Sequence, residues 1–170
     1  MKYFLLAFFL LTAFFGFGQH KKCSYPYDSI VVADSANSQS FLDTLESLQL
    51  KTYCTKSKIP RFIKKAMACW HDGAVRLADP GKFYYCCCSR GFWFPSRQLS
   101  FLAKNEHYLL LVYVRGGYAT NCPVLLVRFD KKKIRSVWNA LVFDTHMTSK
   151  EDLVRYIKNG SYMPAVKANF

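Results

Sequence analysis

Between residues 97 and 143, apolar segments follow one another with connections of only a few residues, and this run limits the fold more than any other feature. Residues 97–104, 107–115, 122–129 and 133–143 carry strand-forming side chains, while Asn105-Glu106, Gly116-Gly117 and Asp130-Lys131-Lys132 supply turns. Parallel neighbours need a crossover of a dozen or more residues, so these strands are predicted to form an antiparallel meander. In 97–104, Leu99, Phe101 and Ala103 alternate with Gln98, Ser100 and Lys104, which predicts one solvated face. Segments 107–115 and 122–129 are apolar on both faces, as Tyr108, Leu110 and Val112 against Leu109, Leu111 and Tyr113 illustrate. They are the expected central strands, and their second face must be covered by a helix, a loop or a partner.

Helical spacing flanks this run. In residues 40–50, Phe41, Leu42, Leu45 and Leu48 repeat at helical intervals, with Ser40 as the expected N-cap and Asp43 three residues on. A second helix is predicted to open at Lys58-Ile59-Pro60 with the proline in its first turn. Ile59, Phe62, Ile63, Ala66, Met67 and Trp70 form its apolar stripe, and His71-Asp72-Gly73 ends it. A last helix follows Thr148-Ser149 and stops at Asn159-Gly160. Shorter strands are expected at 74–78 and 82–88, separated by the turn Asp79-Pro80-Gly81, and around Ile30-Val31-Val32. The predicted class is α+β: two N-terminal helices packed on a curved antiparallel meander of about five or six strands, plus a C-terminal helix. In outline it is cystatin-like or nuclear-transport-factor-like, a likeness of fold that carries no chemistry.

Residues 1–18 read as an export signal: Lys2 forms a short positive start, 3–17 is almost wholly apolar, and Gly16-Phe17-Gly18-Gln19 offers small residues for cleavage near Gly18-Gln19. The apolar stretch falls short of the roughly 20 residues that span a bilayer. Residues 19–40 are then an irregular lead-in, 41–160 a single domain and 161–170 a tail without periodicity. A secreted or periplasmic location is expected, with no transmembrane span once the signal is removed.

Charge narrows the class of partner. The chain carries a formal +13, and loss of Lys2 with the signal lowers this by one. Such an excess predicts attraction to an anionic surface or an acidic protein partner, with nucleic acid not expected. The seven cysteines, at 23, 54, 69, 86, 87, 88 and 122, all follow the signal, where disulfides persist. Because the number is odd, at least one thiol stays free or pairs outside the chain. One or two bridges are expected, with Cys23–Cys54 and Cys69 to one of Cys86, Cys87 or Cys88 as first guesses.

Ile59-Pro60 before a helix, Arg97-Gln98-Leu99 opening a strand, Leu110-Leu111-x-Tyr113 with Gly116-Gly117, Leu125-Leu126 and Ile134-x-x-x-Trp138 form a set spread over about half the chain. In these residues the chain resembles a family of short exported bacterial proteins without an assigned activity. The resemblance implies a fold and brings no catalytic residues.

Chemistry-bearing motifs are sparse. Cys86-Cys87-Cys88 would need ligands such as Cys69, His71 or Cys122 converging on it to hold a soft metal, and no Cys-x-x-Cys spacing supplies them. No metal site and no cofactor are expected. His71, Asp72 and His146 are weak candidates for acid–base work in a small ligand-pocket enzyme. A surface is the stronger reading: Arg128 and Arg135 on neighbouring strands, with Lys133, Tyr113, Arg115, Tyr118 and Trp138, would interleave cations and aromatics. Trp93, in the aromatic loop Gly91-Phe92-Trp93-Phe94-Pro95, is a further candidate contact. The leading expectation is therefore a non-enzymatic exported binding module. The ligand-pocket enzyme comes second, and a protease inhibitor third, since the Gln-x-Val-x-Gly hairpin of that class is missing.

Overall fold

A computed structural model of the chain describes residues 23, 25, 38–71, 75–85, 94–116, 120–160 and 162–164. Among the described residues, three helices, α1 (Ser38–Ser47), α2 (Arg61–Trp70) and α3 (Lys150–Lys158), pack on a seven-stranded sheet. Its strands are β1 (Lys51–Tyr53), β2 (Leu77–Ala78), β3 (Arg97–Lys104), β4 (Tyr108–Arg115), β5 (Cys122–Asp130), β6 (Lys133–Val142) and β7 (Tyr162–Pro164). They lie in the order β1-β3-β4-β5-β6-β7, with β2 also against β3. The class is α+β, and the meander runs from β3 to β6 through antiparallel pairs, as the short connections require.

The doubly apolar segments are indeed the interior strands β4 and β5, and helices cover both of their faces. On one face Phe41, Leu42 and Leu45 of α1 and Leu153 and Ile157 of α3 pack with Phe101, Leu110, Val112, Val124, Leu126 and Trp138. On the other, Ile63, Ala66 and Met67 of α2 pack with Leu99, Leu102, Leu109, Leu111, Tyr113, Leu125 and Val127. The two N-terminal helices thus sit on opposite sides of the sheet, which is why β4 and β5 have no polar face.

Strand β3 departs from the simple alternation. The register slips between Leu99 and Phe101, a β-bulge at Ser100. Beyond it the facing inverts: Leu99 and Leu102 join the α2 side, while Phe101 and Ala103 join the α1–α3 side. Leu99, Phe101 and Ala103 therefore do not share a face, and the predicted solvated face is absent where Leu102 is fully buried.

Local signals explain the ends. Pro60 is the residue before α2 rather than inside its first turn, and its carbonyl accepts from Lys64 N at 3.1 Å. α1 starts at Ser38, so Ser40 lies within its first turn and not at its cap. Ser149 caps α3, its hydroxyl accepting from Asp152 N at 3.1 Å. Asp152 in turn accepts from Thr148 N and Oγ1, and that backbone bond leads the effects that hold its carboxyl below the usual range. Asn105 Oδ1 accepts from His107 N and Tyr108 N and closes the β3–β4 turn. α3 is tied to α1 by the Lys158–Glu46 ion pair and by Lys150 Nζ donating to Leu48 O at 2.8 Å.

Other expectations shift. β2 is two residues long and runs parallel to β3, outside the meander rule. Residues 82–85 form no strand, and the remainder of that predicted segment lies outside the described residues, as does Ile30-Val31-Val32. The tail contributes β7 on the sheet edge, where Pro164 suits a position that needs no second ladder. Cys23 is bonded to Cys69 of α2, so neither guessed pairing holds: Cys54 is free and exposed, and Cys69 is not available to Cys86, Cys87 or Cys88. Trp70 Nε1 donates to Tyr25 O at 3.0 Å, a second tie between the segment around Cys23 and the end of α2.

Candidate functional site

Two adjoining clefts open where the first turns of α1 meet the far ends of β5 and β6. The smaller, about 230 Å3, lies among Ser40, Phe41, Thr44, Leu126, Ser136 and Trp138; the larger, about 580 Å3, among His107, Phe129, Asp130 and Arg135. Tyr108 and Arg128 line both. Register explains the meeting: Tyr108 stands opposite Arg128, Arg128 opposite Ser136, and Leu126 opposite Trp138. Trp138 and Phe41 stack almost parallel, 5° apart, and form the apolar floor. Trp138 is buried, so little of its ring is open to the cleft.

Arg128 is exposed, and among the described residues no carboxylate is bonded to it. Arg135 is half exposed and donates to Asp130 Oδ2 at 3.1 Å, which spends the one carboxylate of the larger cleft. The surroundings are cationic. Lys131 and Lys132 make the β5–β6 turn beside Lys133, at the same end of the sheet as Arg128 and the engaged Asp130. Lys51 and Lys104, paired across β1–β3, share that end but lie on the α2 side, their Nζ atoms 5.9 and 5.5 Å from the centre of the Tyr53 ring. Lys131 has φ +53°, a left-handed conformation that costs a side-chain-bearing residue about 1 kcal/mol and would suit glycine better.

The structure divides the sequence-derived candidates. It brings Arg128, Arg135 and Trp138 together. Arg115 stands at the other end of β4, about 23 Å along the strand from Tyr108. There it is register-paired with Arg97, on the face that carries Tyr113. The Arg97 guanidinium lies 5.9 Å from the Tyr113 ring centre; burial lowers its pKa, Tyr113 opposes this, and the Arg115 charge adds a smaller downward push. Tyr118 and Trp93 lie outside the described residues; Phe94 of the same loop is exposed and meets exposed Phe83 edge-on at 5.4 Å.

The weak catalytic candidates do not meet. His71 caps the end of α2 on one side of the sheet, whereas His146 is exposed in the β6–α3 loop beside Met147, which packs on the other. Asp72 lies outside the described residues. Among the described residues no group of three or more His, Cys, Asp or Glu could hold a metal ion. Cys122 is fully buried; desolvation, with a further push from Asp144, raises its thiol to about 12. Burial and that shift both disfavour the thiolate, so Cys122 is expected to be unreactive in the folded protein. Peptide mapping after iodoacetamide treatment of the native protein at pH 8 should find Cys54 alkylated and Cys122 intact, with Cys122 reacting only after denaturation.

What sequence reasoning missed is the contribution of α1. Ser40, Phe41 and Thr44 were legible as helix residues, but nothing in their spacing says that this helix stops over β5–β6. Family models, curated proteins and solved structures were all compared with the chain, and none matches it. The cystatin-like or nuclear-transport-factor-like outline therefore stays a sequence-level analogy.

Proposed function

We propose that this chain is an exported, non-enzymatic binding module that engages a polyanionic partner through the end of the sheet around Arg128. The observation that carries the reading is an exposed guanidinium, shared by two clefts and without a bonded carboxylate among the described residues, at the end of the sheet where Lys131, Lys132 and Lys133 form the β5–β6 turn. A guanidinium presents a planar fork that matches carboxylate, sulfate or phosphate in two-point contact. The lysines around it raise the local concentration of anions and accelerate encounter, and they do so less as salt rises. The hydroxyls of Ser40, Thr44, Ser136 and Tyr108 offer neutral partners beside the charge.

Export supports the same reading. Residues 1–18 have the form of a signal, and a disulfide joins Cys23 to Cys69, as suits an oxidising compartment. The ligand-pocket enzyme is less well supported, since neither cleft holds His71 or His146.

Immobilised heparin, as a generic sulfated polyanion, tests the proposal. The oxidised protein lacking residues 1–18 should bind it, with affinity falling steeply between about 50 and 500 mM salt. Arg128→Glu combined with Lys132→Glu and Lys133→Glu should weaken binding by at least about 100-fold while the thermal midpoint stays within a few degrees. Lys131→Gly should weaken binding and leave stability unchanged or raise it by up to about 1 kcal/mol. Reversal of Arg97 and Arg115 at the opposite end should do far less. Equal losses at both ends would reduce the effect to net charge and overturn the assignment.

A further inference from the structure

We propose that the end of the sheet opposite Arg128 docks on the interface of an anionic lipid bilayer through the rings of Phe83, Phe94 and Phe143. Among the described residues these are the large apolar side chains left exposed, with 68%, 53% and 51% of their surface open to solvent. Single exposed apolar residues are ordinary, but these three share one end of the molecule. Register puts them there. Arg97 at the start of β3 stands opposite Arg115 at the end of β4, Arg115 bridges to Asn121, and Cys122 opening β5 stands opposite Val142 closing β6. Phe94 shortly precedes Arg97, and Phe143 directly follows Val142. Phe83 is brought beside Phe94 because Gln98 Nε2 donates to Lys82 O at 2.7 Å and Tyr85 N donates to Pro95 O at 2.7 Å.

The rings are held outward in advance of any partner. Tyr84 packs on the α1–α3 core, and its neighbour Phe83 points away from it. Phe143 N donates to the Tyr156 hydroxyl of α3 at 3.2 Å, which fixes the backbone under the third ring. Strands β3 and β6 are three spacings apart, so the Phe83–Phe94 pair and Phe143 stand roughly 14 Å from each other. That spread suits a fluid interface, which takes up each ring wherever it projects, better than a protein partner, whose binding energy concentrates in one packed pocket. Charge selects the kind of bilayer. Lys82 is exposed beside Phe83, and the formal charge of +13 draws the chain to anionic headgroups. The lysine stem can lie at the headgroup boundary with its ammonium in water while the ring enters. Arg128 stands opposite Tyr108 at the other end of β4, about 23 Å away and well beyond a Debye length at physiological salt. The polyanion site therefore stays open and contributes little to lipid binding.

Co-sedimentation of the oxidised protein lacking residues 1–18 with vesicles of phosphatidylcholine and about one-quarter phosphatidylglycerol, in about 150 mM salt, tests this. Saturable binding is expected, at least about 3-fold stronger than to phosphatidylcholine alone. Phe83→Ser/Phe94→Ser should weaken it at least about 10-fold, with the melting midpoint within a few degrees because the rings already face water. Phe83→Trp should bind as the unaltered protein does, and its added fluorescence should be quenched by lipid brominated in the acyl chain. Arg128→Glu should change the affinity by less than about 3-fold. Absence of binding, no preference for phosphatidylglycerol, or retention of affinity in Phe83→Ser/Phe94→Ser overturns the proposal. So does a large loss in Arg128→Glu, which would make the lipid one more polyanion for the other end.

Discussion

Cys23→Ser/Cys69→Ser should lower the stability of the protein by about 2–4 kcal/mol, a fall of about 6–12 °C in its thermal midpoint for a domain of this size. The bridge spans 46 positions in sequence, so its loss returns a long loop to the unfolded ensemble. It also releases the segment around Cys23 from the last turn of α2, where Tyr25 packs beside Trp70. The hydrogen bond from Trp70 Nε1 to Tyr25 O is too weak alone to hold that segment, since a neutral hydrogen bond nets about 1 kcal/mol. The unaltered protein under strong reductant should melt with the double variant, and Cys54→Ser should melt with the unaltered oxidised protein. If reductant leaves the midpoint unchanged, Cys23 and Cys69 are not joined in the native protein. The same comparison bears on export, because a stabilising bridge of this kind persists in an oxidising compartment.

The bridge also illustrates what a linear sequence conceals. Seven cysteines permit many pairings, and nothing along the chain singles out Cys23–Cys69. The choice is made by the face of the sheet on which α2 lies, and spacing along the chain does not encode it. The meander was legible because it is local: Asn105 closes one turn through its own side chain, and Asp130 and Lys133 pair across another. The burial of β4 and β5 on both faces could be read from residues such as Leu109 and Leu110 side by side. Which helix covers which face could not, because the stripes of α1 and α2 are equally apolar. β1 and β7 escaped notice for a different reason: at three residues each, they owe their conformation to β3 and β6 rather than to any pattern of their own.

The candidate site was half legible for the same physical reason. Arg128, Arg135 and Trp138 stand on adjacent strands joined by a tight hairpin, so a correct register brings them together. Arg115 and Tyr113 were grouped with them on composition, yet position along β4 separates Arg115 by most of the strand and parity sends Tyr113 to the other face.

Phe101→Ala should lower stability by about 3–5 kcal/mol, whereas deletion of Ser100, the residue beside it, should leave a protein that still folds cooperatively. The contrast rests on residue count. Leu99 stands opposite Tyr113 and Phe101 opposite Val112, so Ser100 is the extra residue of β3 between two consecutive partners on β4. Leu99 and Leu102 point to α2 while Phe101 and Ala103 point to the α1–α3 side. With Ser100 removed, Leu99 and Phe101 become neighbours, and plain alternation sends each of them to the face it already occupies. The bulge and its local twist are lost, but no core side chain has to change sides. Phe101 is fully buried, so its truncation instead opens a void on the α1–α3 side of the sheet. That cost is a large share of the roughly 5–15 kcal/mol that holds a domain together. Urea unfolding followed by tryptophan fluorescence and far-ultraviolet circular dichroism should show a sigmoidal transition for both variants, displaced to lower urea much further in Phe101→Ala. Loss of the cooperative transition on deletion of Ser100 would mean that Leu99 and Phe101 do not face opposite sides, and the two-sided core built on β3 would then be wrong.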